Sequence, residues 1–148
     1  MAVSPRPIRF VMDHHIFRTP LISFIFRHTR AIPIAPARED AAMMERAFAE
    51  VSAALKEGEL VGIFPEGRIT DTGDLYPFRP GVTRILERDP VPVIPLALQG
   101  LWGSFFSRKG GPAMSKPFRR GLFARIAVVG VPPVAPAEAT PENLQEIV

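Results

Sequence analysis

Apolar residues recur along this chain in two spacings, and each spacing predicts a different kind of element. Short apolar runs bounded by proline or polar residues predict strands. They occupy residues 7–12, 60–64, 91–98 and 123–131. The β-branched content of residues 91–98 is typical of a buried strand. Residues 31–36 are also extended, and their prolines place them at a sheet edge.

Helical spacing is clearest over residues 39–57, where apolar side chains recur three or four positions apart and Gly58 ends the pattern. A short helix is predicted over residues 82–87, and residues 135–148 hold the start of a truncated helix. A helix between two extended segments is typical of a βαβ unit. We therefore predict an α/β fold: a single domain over residues 1–148, with a mixed, mostly parallel sheet flanked by helices.

A further helix is predicted over residues 16–28, entered at Thr19 and Pro20. Its side chains are apolar on nearly every face, so this helix is either buried in a core or lies against lipid. The sequence has no run of about 18 apolar residues, and its first residues lack the apolar core of a signal peptide. We expect neither a transmembrane helix nor a signal peptide.

Composition limits the kinds of site that this chain can form. A length of 148 residues, 47% of them hydrophobic, suffices for one core. The sequence has no cysteine, which excludes a disulfide scaffold and a thiolate zinc site and fits a cytosolic environment. Its three histidines share no spacing that is typical of metal ligands, so we predict no metal site.

The formal net charge of +3 conceals an uneven distribution of charge. Before Glu39 there are six arginines against one acid, Asp13, and residues 90–137 contain no acid at all. Two basic flanks interleaved with aromatic residues indicate an anionic partner: a membrane surface, phosphate groups or nucleic acid. The alternative is a solvated basic face that has no partner.

The predicted strand at residues 60–64 leads directly into a turn that carries a carboxylate and a cation. The turn consists of Pro65, Glu66, Gly67 and Arg68. Functional groups are commonly presented on turns that follow strands, although an ordinary surface turn is the alternative. Arg68, Arg79 and Arg38 are candidates for phosphate contact, because a guanidinium group binds phosphate in a bidentate manner. For each of them alone, a solvated arginine is the alternative.

Two other clusters of polar and aromatic residues have structural alternatives. Asp13 and His14 look like a displaced catalytic pair, but neighbouring residues at a strand end point to opposite faces, so we favour a structural role. Trp102, followed by basic residues, fits an anchor at a membrane interface, with the aromatic ring at headgroup level. Packing of Trp102 in the core is the alternative.

Taken in order, these segments resemble the glycerolipid acyltransferase family of the lysophosphatidic-acid-acyltransferase type. The resemblance extends over about residues 7–134 and rests on four groups of residues. They are residues 64–67 (substrate-binding motif), Gly73 with residues 78–81 (following loop), residues 91–95 (proline-bearing strand) and residues 31–34 (second motif). The resemblance implies a glycerol-3-phosphate acyltransferase-like fold.

The resemblance also implies a function. A fatty acyl group would pass from acyl-carrier protein or coenzyme A to the hydroxyl of a lysophospholipid, without a metal or prosthetic group. The turn would help to bind the glycerol-phosphate acceptor. The implied substrate-binding residues are Phe64, Pro65, Glu66, Gly67, Arg68, Arg38 and Arg79. The implied partners are the lysophospholipid acceptor, the acyl donor and an anionic membrane surface, with a peripheral location on the cytoplasmic face of the bacterial inner membrane.

The chain departs from the family pattern at the catalytic motif, a histidine followed five positions later by aspartate. The histidine of that motif is the general base, and its aspartate orients the imidazole. At the fifth position after each histidine this chain has Thr19 (after His14), Pro20 (after His15) and Pro33 (after His28). We therefore expect an N-terminally truncated domain, or a start assigned too late, in which no catalytic residue is present.

The phosphate-binding arginines depart from the family pattern as well. In the second motif the family's arginine aligns near Pro36, and Arg38 two residues later is a candidate substitute. After the Pro-Glu-Gly turn the family's arginine aligns with Ile69, one residue beyond Arg68. A non-catalytic remnant that binds anionic lipid or phosphate is therefore the alternative function. Nucleic-acid binding is not predicted, because the basic flanks lack a known recognition frame.

Overall fold

The computed structural model describes residues 6–18, 28–104, 107–111 and 125–148. The chain forms two compact units. The first unit consists of Met1–Phe64 and Gly81–Val91, and the second consists of Pro65–Pro80 and Pro92–Val148. The two parts of the first unit are thus joined by the loop that begins with the Pro-Glu-Gly turn.

The first unit contains a three-stranded parallel sheet. Its strands are β1 (Ile8–Asp13), β2 (Ile32–Ile34) and β3 (Leu60–Gly62), and their order is β2-β1-β3. Val11 of β1 pairs with Ile32, and Ile8 pairs with Leu60. Each of these strands was predicted, and β2 lies at an edge of the sheet as its proline requires. A 3₁₀ helix, His14–Arg18, follows β1 directly.

Helix α1 (Ala37–Lys56) crosses from β2 to β3 and supplies most of the cover for this sheet. The predicted start at residue 39 has a physical basis: Asp40 is extended (φ −151°, ψ 91°), and its Oδ1 accepts the backbone N–H of Met43 at 2.7 Å. This is the geometry of a helix N-cap. The helix ends at Lys56, and Gly58, two residues later, has a φ of +75° that favours glycine.

The core of the first unit lies between the sheet and α1. Ile32 (0% exposed) and Val51 (2% exposed) are its largest fully buried side chains, and Ala47 completes the buried cluster. Helix α2 (Gly81–Arg88) adds Val82 and Leu86 to the buried apolar residues. Among the apolar residues at helical spacing along α1, Val51 is buried and Leu55 packs against the cluster, so the spacing over residues 39–57 predicted part of the buried face.

Arg9 is the buried cation of the first unit, with 7% of its surface exposed. Its guanidinium donates to the carbonyl of Arg30 at 2.9 Å and to Glu59 at 3.2 Å, and it also pairs with Glu50. Three acceptors on different segments therefore compensate for the desolvation of this cation.

The second unit contains an antiparallel pair of strands, β4 (Leu96–Gln99) and β5 (Ala127–Gly130). The prediction of a buried strand over residues 91–98 was wrong in extent and in burial. Pro92 and Pro95 cannot donate to a strand ladder, so only an isolated bridge at Val93 precedes β4. Leu96 and Leu98 are each 45% exposed, because a two-stranded sheet has few neighbours to cover its faces.

Helix α3 (Pro141–Ile147) lies within residues 135–148, where the start of a helix was predicted. The Thr140 hydroxyl accepts the backbone N–H of Asn143 at 3.2 Å, and Pro141 occupies the first turn. Leu144 is the buried residue of this helix.

The predicted α/β fold with a mostly parallel sheet is confirmed. The single-domain boundaries stay a prediction. The helix predicted at residues 16–28 falls mostly on residues 19–27, which lie outside the described residues. In the described part of the chain, no helix is both long and apolar enough to cross a membrane.

Candidate functional site: the Pro-Glu-Gly loop

Residues 65–79 form a closed loop in the second unit. The backbone N–H of Arg79 donates to the carbonyl of Pro65 at 2.9 Å, so the two ends of the loop are joined. A compact loop of this length whose ends meet is an Ω-loop, a type of loop that often carries functional groups. The hydrogen bond at its base therefore places Arg79 beside the Pro-Glu-Gly turn, although the two are far apart in sequence.

Glu66 is half-buried at the start of this loop. Its Oε2 accepts the backbone N–H of Tyr76 at 2.8 Å. Its Oε1 has no hydrogen-bond partner among the residues that the structure describes. Glu66 therefore has two capacities: one oxygen fixes the loop, and the other can accept a hydrogen bond from a ligand.

Gly67 allows the backbone of the turn and the close approach of Arg79. Its φ of +66° is a conformation that favours glycine. A Cβ atom at this position would lie 3.0 Å from Cδ and from Nε of Arg79. The Arg79 side chain therefore lies directly against the turn. Its guanidinium forms no hydrogen bond or ion pair with any described residue, and the side chain is exposed.

Arg68 and Tyr76 form a second contact across the loop. The Arg68 guanidinium carbon lies 3.6 Å from the centroid of the Tyr76 ring, a cation–π contact. The Tyr76 hydroxyl donates to Asp71. This bond holds the pKa of Asp71 below its ordinary value and raises the pKa of Tyr76. Tyr76 therefore links Arg68 and Asp71, and Glu66 accepts its backbone N–H.

Trp102 packs on the far side of the same loop. A Cβ atom at Gly73 would lie 2.8 Å from the Trp102 ring, so the indole approaches the backbone of the loop closely. Lys109 Nζ lies 6.0 Å from the ring centroid, and 37% of Trp102 is exposed. The Trp102 ring therefore packs against the loop and is partly exposed beside Lys109, and its role as a membrane anchor stays a prediction.

Two of the predicted site residues belong to the first unit. Phe64, 50% exposed, stacks on Phe10 with ring centroids 5.9 Å apart and an interplanar angle of 17°. Arg38 is exposed in the first turn of α1, and its guanidinium has no recorded partner in the described ranges. The structure therefore brings Pro65, Glu66, Gly67 and Arg79 together, with Arg68 held on Tyr76.

Sequence reasoning missed the roles of Tyr76 and Asp71. Both lie in a stretch that was interpreted as a polar loop. Tyr76 could have indicated these contacts from the sequence. It is the one tyrosine of the chain and lies between acidic residues and the basic Arg79. An aromatic ring with a polar tip among charged residues is a common partner for both an arginine and a carboxylate.

A second polar cluster lies at the end of β1 in the first unit. Asp13 Oδ1 accepts from the backbone N–H of His15 at 2.8 Å and lies 2.8 Å from its ring Nδ1. His14 Nδ1 is 3.7 Å away, so Asp13 orients His15 and not His14. Burial acts to raise the pKa of Asp13, but the hydrogen bonds from His15 outweigh it, and the pKa lies below its ordinary value. Asp13 therefore does not pair with His14 as the family's aspartate would, and the structural role of this cluster stays a prediction.

The fold is similar to that of a solved enzyme. The crystal structure of the 1-acyl-sn-glycerophosphate acyltransferase PlsC from Thermotoga maritima aligns with a TM-score of 0.60 and 18% sequence identity. The alignment covers 94% of this chain and 51% of that protein. The architecture is therefore that of an α/β acyltransferase domain.

Sequence comparison gives the family. The model of the acyltransferase family matches residues 1–99, and this chain belongs to that family. The chain is also 27% identical over 100 residues to the 1-acyl-sn-glycerol-3-phosphate acyltransferase of Bacillus subtilis. That match covers 68% of this chain and 47% of the relative, so the chain spans about half the length of the relatives it matches. The family resemblance predicted from the motifs is confirmed.

Proposed function

We propose that this chain is the acceptor-binding part of a glycerolipid acyltransferase. The acyl group comes from acyl-coenzyme A or acyl-carrier protein and passes to the hydroxyl of a lysophospholipid. The similarity to two 1-acyl-glycerol-phosphate acyltransferases supports this assignment. The chemistry requires no metal or prosthetic group, because a thioester is already activated for acyl transfer.

The observation that carries the proposal is the position of Arg79. Its guanidinium, which pairs with none of the described residues, lies against Gly67, within the same closed loop as the Glu66 carboxylate. A guanidinium group can bind a phosphate through two parallel hydrogen bonds, and a carboxylate oxygen can accept from a glycerol hydroxyl. A glycerol phosphate offers both groups, so we assign its phosphate to Arg79 and its hydroxyl to Glu66 Oε1.

The transfer step itself needs a general base. The acceptor hydroxyl oxygen attacks the thioester carbonyl carbon, its proton passes to the base, the carbon–sulfur bond breaks, and the thiol leaves after taking up a proton. The sequence has no histidine with aspartate five positions later. We therefore propose that these 148 residues bind the acceptor and turn over slowly.

Equilibrium binding tests the acceptor site. A short-chain lysophosphatidic acid, used below the concentration at which it forms micelles, is titrated into the purified chain. Arg79→Ala should weaken binding about 10- to 100-fold, the equivalent of the 1.5–3 kcal/mol of a hydrogen bond to a charged group. Arg84→Ala is the matched control, because Arg84 already pairs with Glu45 in the first unit. Equal affinities for the Arg79→Ala and Arg84→Ala variants would refute the assignment.

A second candidate function is a non-catalytic module that binds anionic lipid or phosphate. The missing histidine–aspartate spacing favours it. An acyl-transfer assay with acyl-coenzyme A, acyl-carrier protein thioester and lysophosphatidic acid separates the two candidates. Acceptor binding without any turnover assigns the binding module, whereas turnover comparable to that of intact relatives shows that another residue is the base.

We also propose peripheral binding to an anionic membrane surface through Trp102 and the neighbouring Lys109. An exposed indole edge beside a cation suits the headgroup region of a bilayer. In flotation with vesicles of phosphatidylcholine and phosphatidylglycerol, Trp102→Ala should reduce the bound fraction several-fold, and Trp102→Phe should retain most of it. Unchanged flotation of Trp102→Ala, or retention on an oligonucleotide without vesicle binding, would contradict this partner.

A further inference from the structure

The polar cluster at the end of β1 extends to helix α1 and has the composition of a metal site. Two imidazoles, His14 and His15, lie side by side with ring centroids 4.0 Å apart. The Asp13 carboxylate lies on one side of the rings, and Glu39 in the first turn of α1 lies on the other. We propose that His14, His15 and Glu39 bind a divalent transition-metal ion of the zinc class, with Asp13 as the residue that orients His15.

The distances around Glu39 match those between ligands of one tetrahedral ion. Glu39 Oε1 lies 3.2 Å from His14 Nε2 and 3.3 Å from His15 Nε2. Zinc bonds of about 2.0–2.1 Å to nitrogen and oxygen place two tetrahedral ligands about 3.3–3.4 Å apart. An ion bound by Glu39 Oε1 and the two Nε2 atoms therefore leaves these two separations nearly unchanged.

Asp13 occupies the position of a carboxylate that supports a ligating histidine. Its Oδ1 lies 2.8 Å from His15 Nδ1, the ring nitrogen opposite the proposed ligand atom. Histidines that bind metals commonly donate their second ring N–H to a carboxylate, which fixes the tautomer and the orientation of the ring. This contact leaves His15 Nε2 with its lone pair directed away from Asp13.

His14 supplies a second observation. Its Nδ1 is buried and has no hydrogen-bond partner in the part of the chain that the structure describes. Its side chain is 13% exposed and lines a cavity of about 790 Å³ in the first unit. A buried, unsatisfied nitrogen is costly. A positive ion on Nε2, together with a small shift of Asp13 toward Nδ1 across the present 3.7 Å, removes that cost.

The ligand types select the class of ion. Imidazole nitrogen favours zinc, copper, nickel and iron over magnesium and calcium, which prefer all-oxygen sites. Two nitrogens and one carboxylate oxygen are a common zinc set with one open position. This site belongs to the first unit and takes no part in the proposed acyl-transfer chemistry.

Cobalt(II) and zinc(II) are the probes for this site. The purified 148-residue chain, freed of metal with a chelator, is titrated with cobalt(II), and visible absorption reports the coordination. One equivalent should bind with the intense d–d bands of a four- or five-coordinate ion, and zinc(II) should displace it and raise the melting temperature. His14→Ala/His15→Ala should lose both effects, which leaves His28 as the one histidine of the sequence.

Three single variants keep the test independent of folding. Glu39→Gln and His15→Ala alter side chains that are 41% and 49% exposed, so the fold should persist while cobalt(II) affinity falls at least 10-fold. Asp13→Asn should weaken the cobalt(II) affinity about 10- to 100-fold, because it removes the carboxylate that orients His15. Glu45→Gln, on the same helix, is the matched carboxylate control and should bind like the original chain. Affinity that is equal in the Glu39→Gln, His15→Ala and Glu45→Gln variants, or cobalt(II) spectra of a purely hydrated ion, would overturn the proposal.

Discussion

Two arginines, one in each unit of this molecule, differ in how their charge is compensated. In the first unit Arg9 is 7% exposed and is surrounded by the carbonyl of Arg30 and two carboxylates. In the second unit Arg79 is exposed, and the nearby carboxylate of Glu66 instead accepts a backbone N–H of the loop. A cation whose charge is already compensated stabilises the fold, whereas one that has no protein partner is available to an anionic ligand.

The largest effect should come from removing the compensated cation. Arg9→Met leaves Glu50 and Glu59 without their buried partner and should lower the free energy of unfolding by about 2 kcal/mol. This is less than for a fully buried pair, because the side chain of Glu50 is 47% exposed. Urea unfolding measures the change.

Arg79→Met is the matched control for this stability test. Its charge is exposed and unpaired, so the change should leave the free energy of unfolding within about 0.5 kcal/mol of the original. Equal destabilisation by the two substitutions would show that Arg79 is also a structural cation, and the contrast between the units would fail.

An intermediate effect is expected from the backbone of the turn. Gly67→Ala places a side chain at φ +66° and against Arg79, and it should cost about 1–2 kcal/mol of stability. It should also displace the Arg79 side chain and weaken acceptor binding. Gly81→Ala is the control, because nothing lies within 4 Å of its added Cβ. If both variants unfold at the same urea concentration, the turn does not depend on glycine.

The smallest effect should come from the exposed pair of Tyr76 and Asp71. The pKa of Asp71 in the folded chain lies below its ordinary 3.8. The ionised carboxylate therefore stabilises the fold above pH 3.8, and this stabilisation disappears as the pH falls through the lowered pKa. The pKa of Tyr76 in the folded chain lies above its ordinary 10.0. The protonated hydroxyl therefore stabilises the fold below pH 10.0, and this stabilisation disappears as the pH rises through the raised pKa.

Comparison of the original chain with Tyr76→Phe measures this pair, since phenylalanine keeps the ring beneath Arg68. The difference in melting temperature should be constant between about pH 5 and 9 and should shrink outside that window. A difference that changes steeply near neutral pH would indicate that another group titrates with the loop.

Local patterns predicted the first unit better than the second. The spacing of apolar residues over 39–57 predicted helix α1 and part of its buried face. Gly58 follows the helix with a positive φ, a conformation that glycine adopts readily. The run at residues 91–98 was misjudged, because a pattern of apolar residues does not reveal how many strands will cover it. Pro92 and Pro95 cannot donate to a strand ladder, and they limit β4 to residues 96–99.

The polar sites also differ in how much of them the sequence predicts. The Pro-Glu-Gly turn was predictable, since strand, turn and motif are contiguous in sequence. The hydrogen bond from Tyr76 to Glu66 and the approach of Glu39 to the two histidines depend on how separate segments fold together. Those contacts join residues whose spacing carries no periodic signal, so only the structure reveals them.

The central claim is that the Pro-Glu-Gly loop binds a glycerol phosphate through Arg79 and Glu66. Titration of glycerol 3-phosphate into the ¹⁵N-labelled chain tests it most directly by nuclear magnetic resonance. The account predicts saturable shifts of the Gly67 and Tyr76 amides and of Arg79 Nε, absent from Arg79→Ala. Shifts confined to Arg9 and other residues of the first unit, or no shift of the Arg79 Nε signal at saturation, would contradict it.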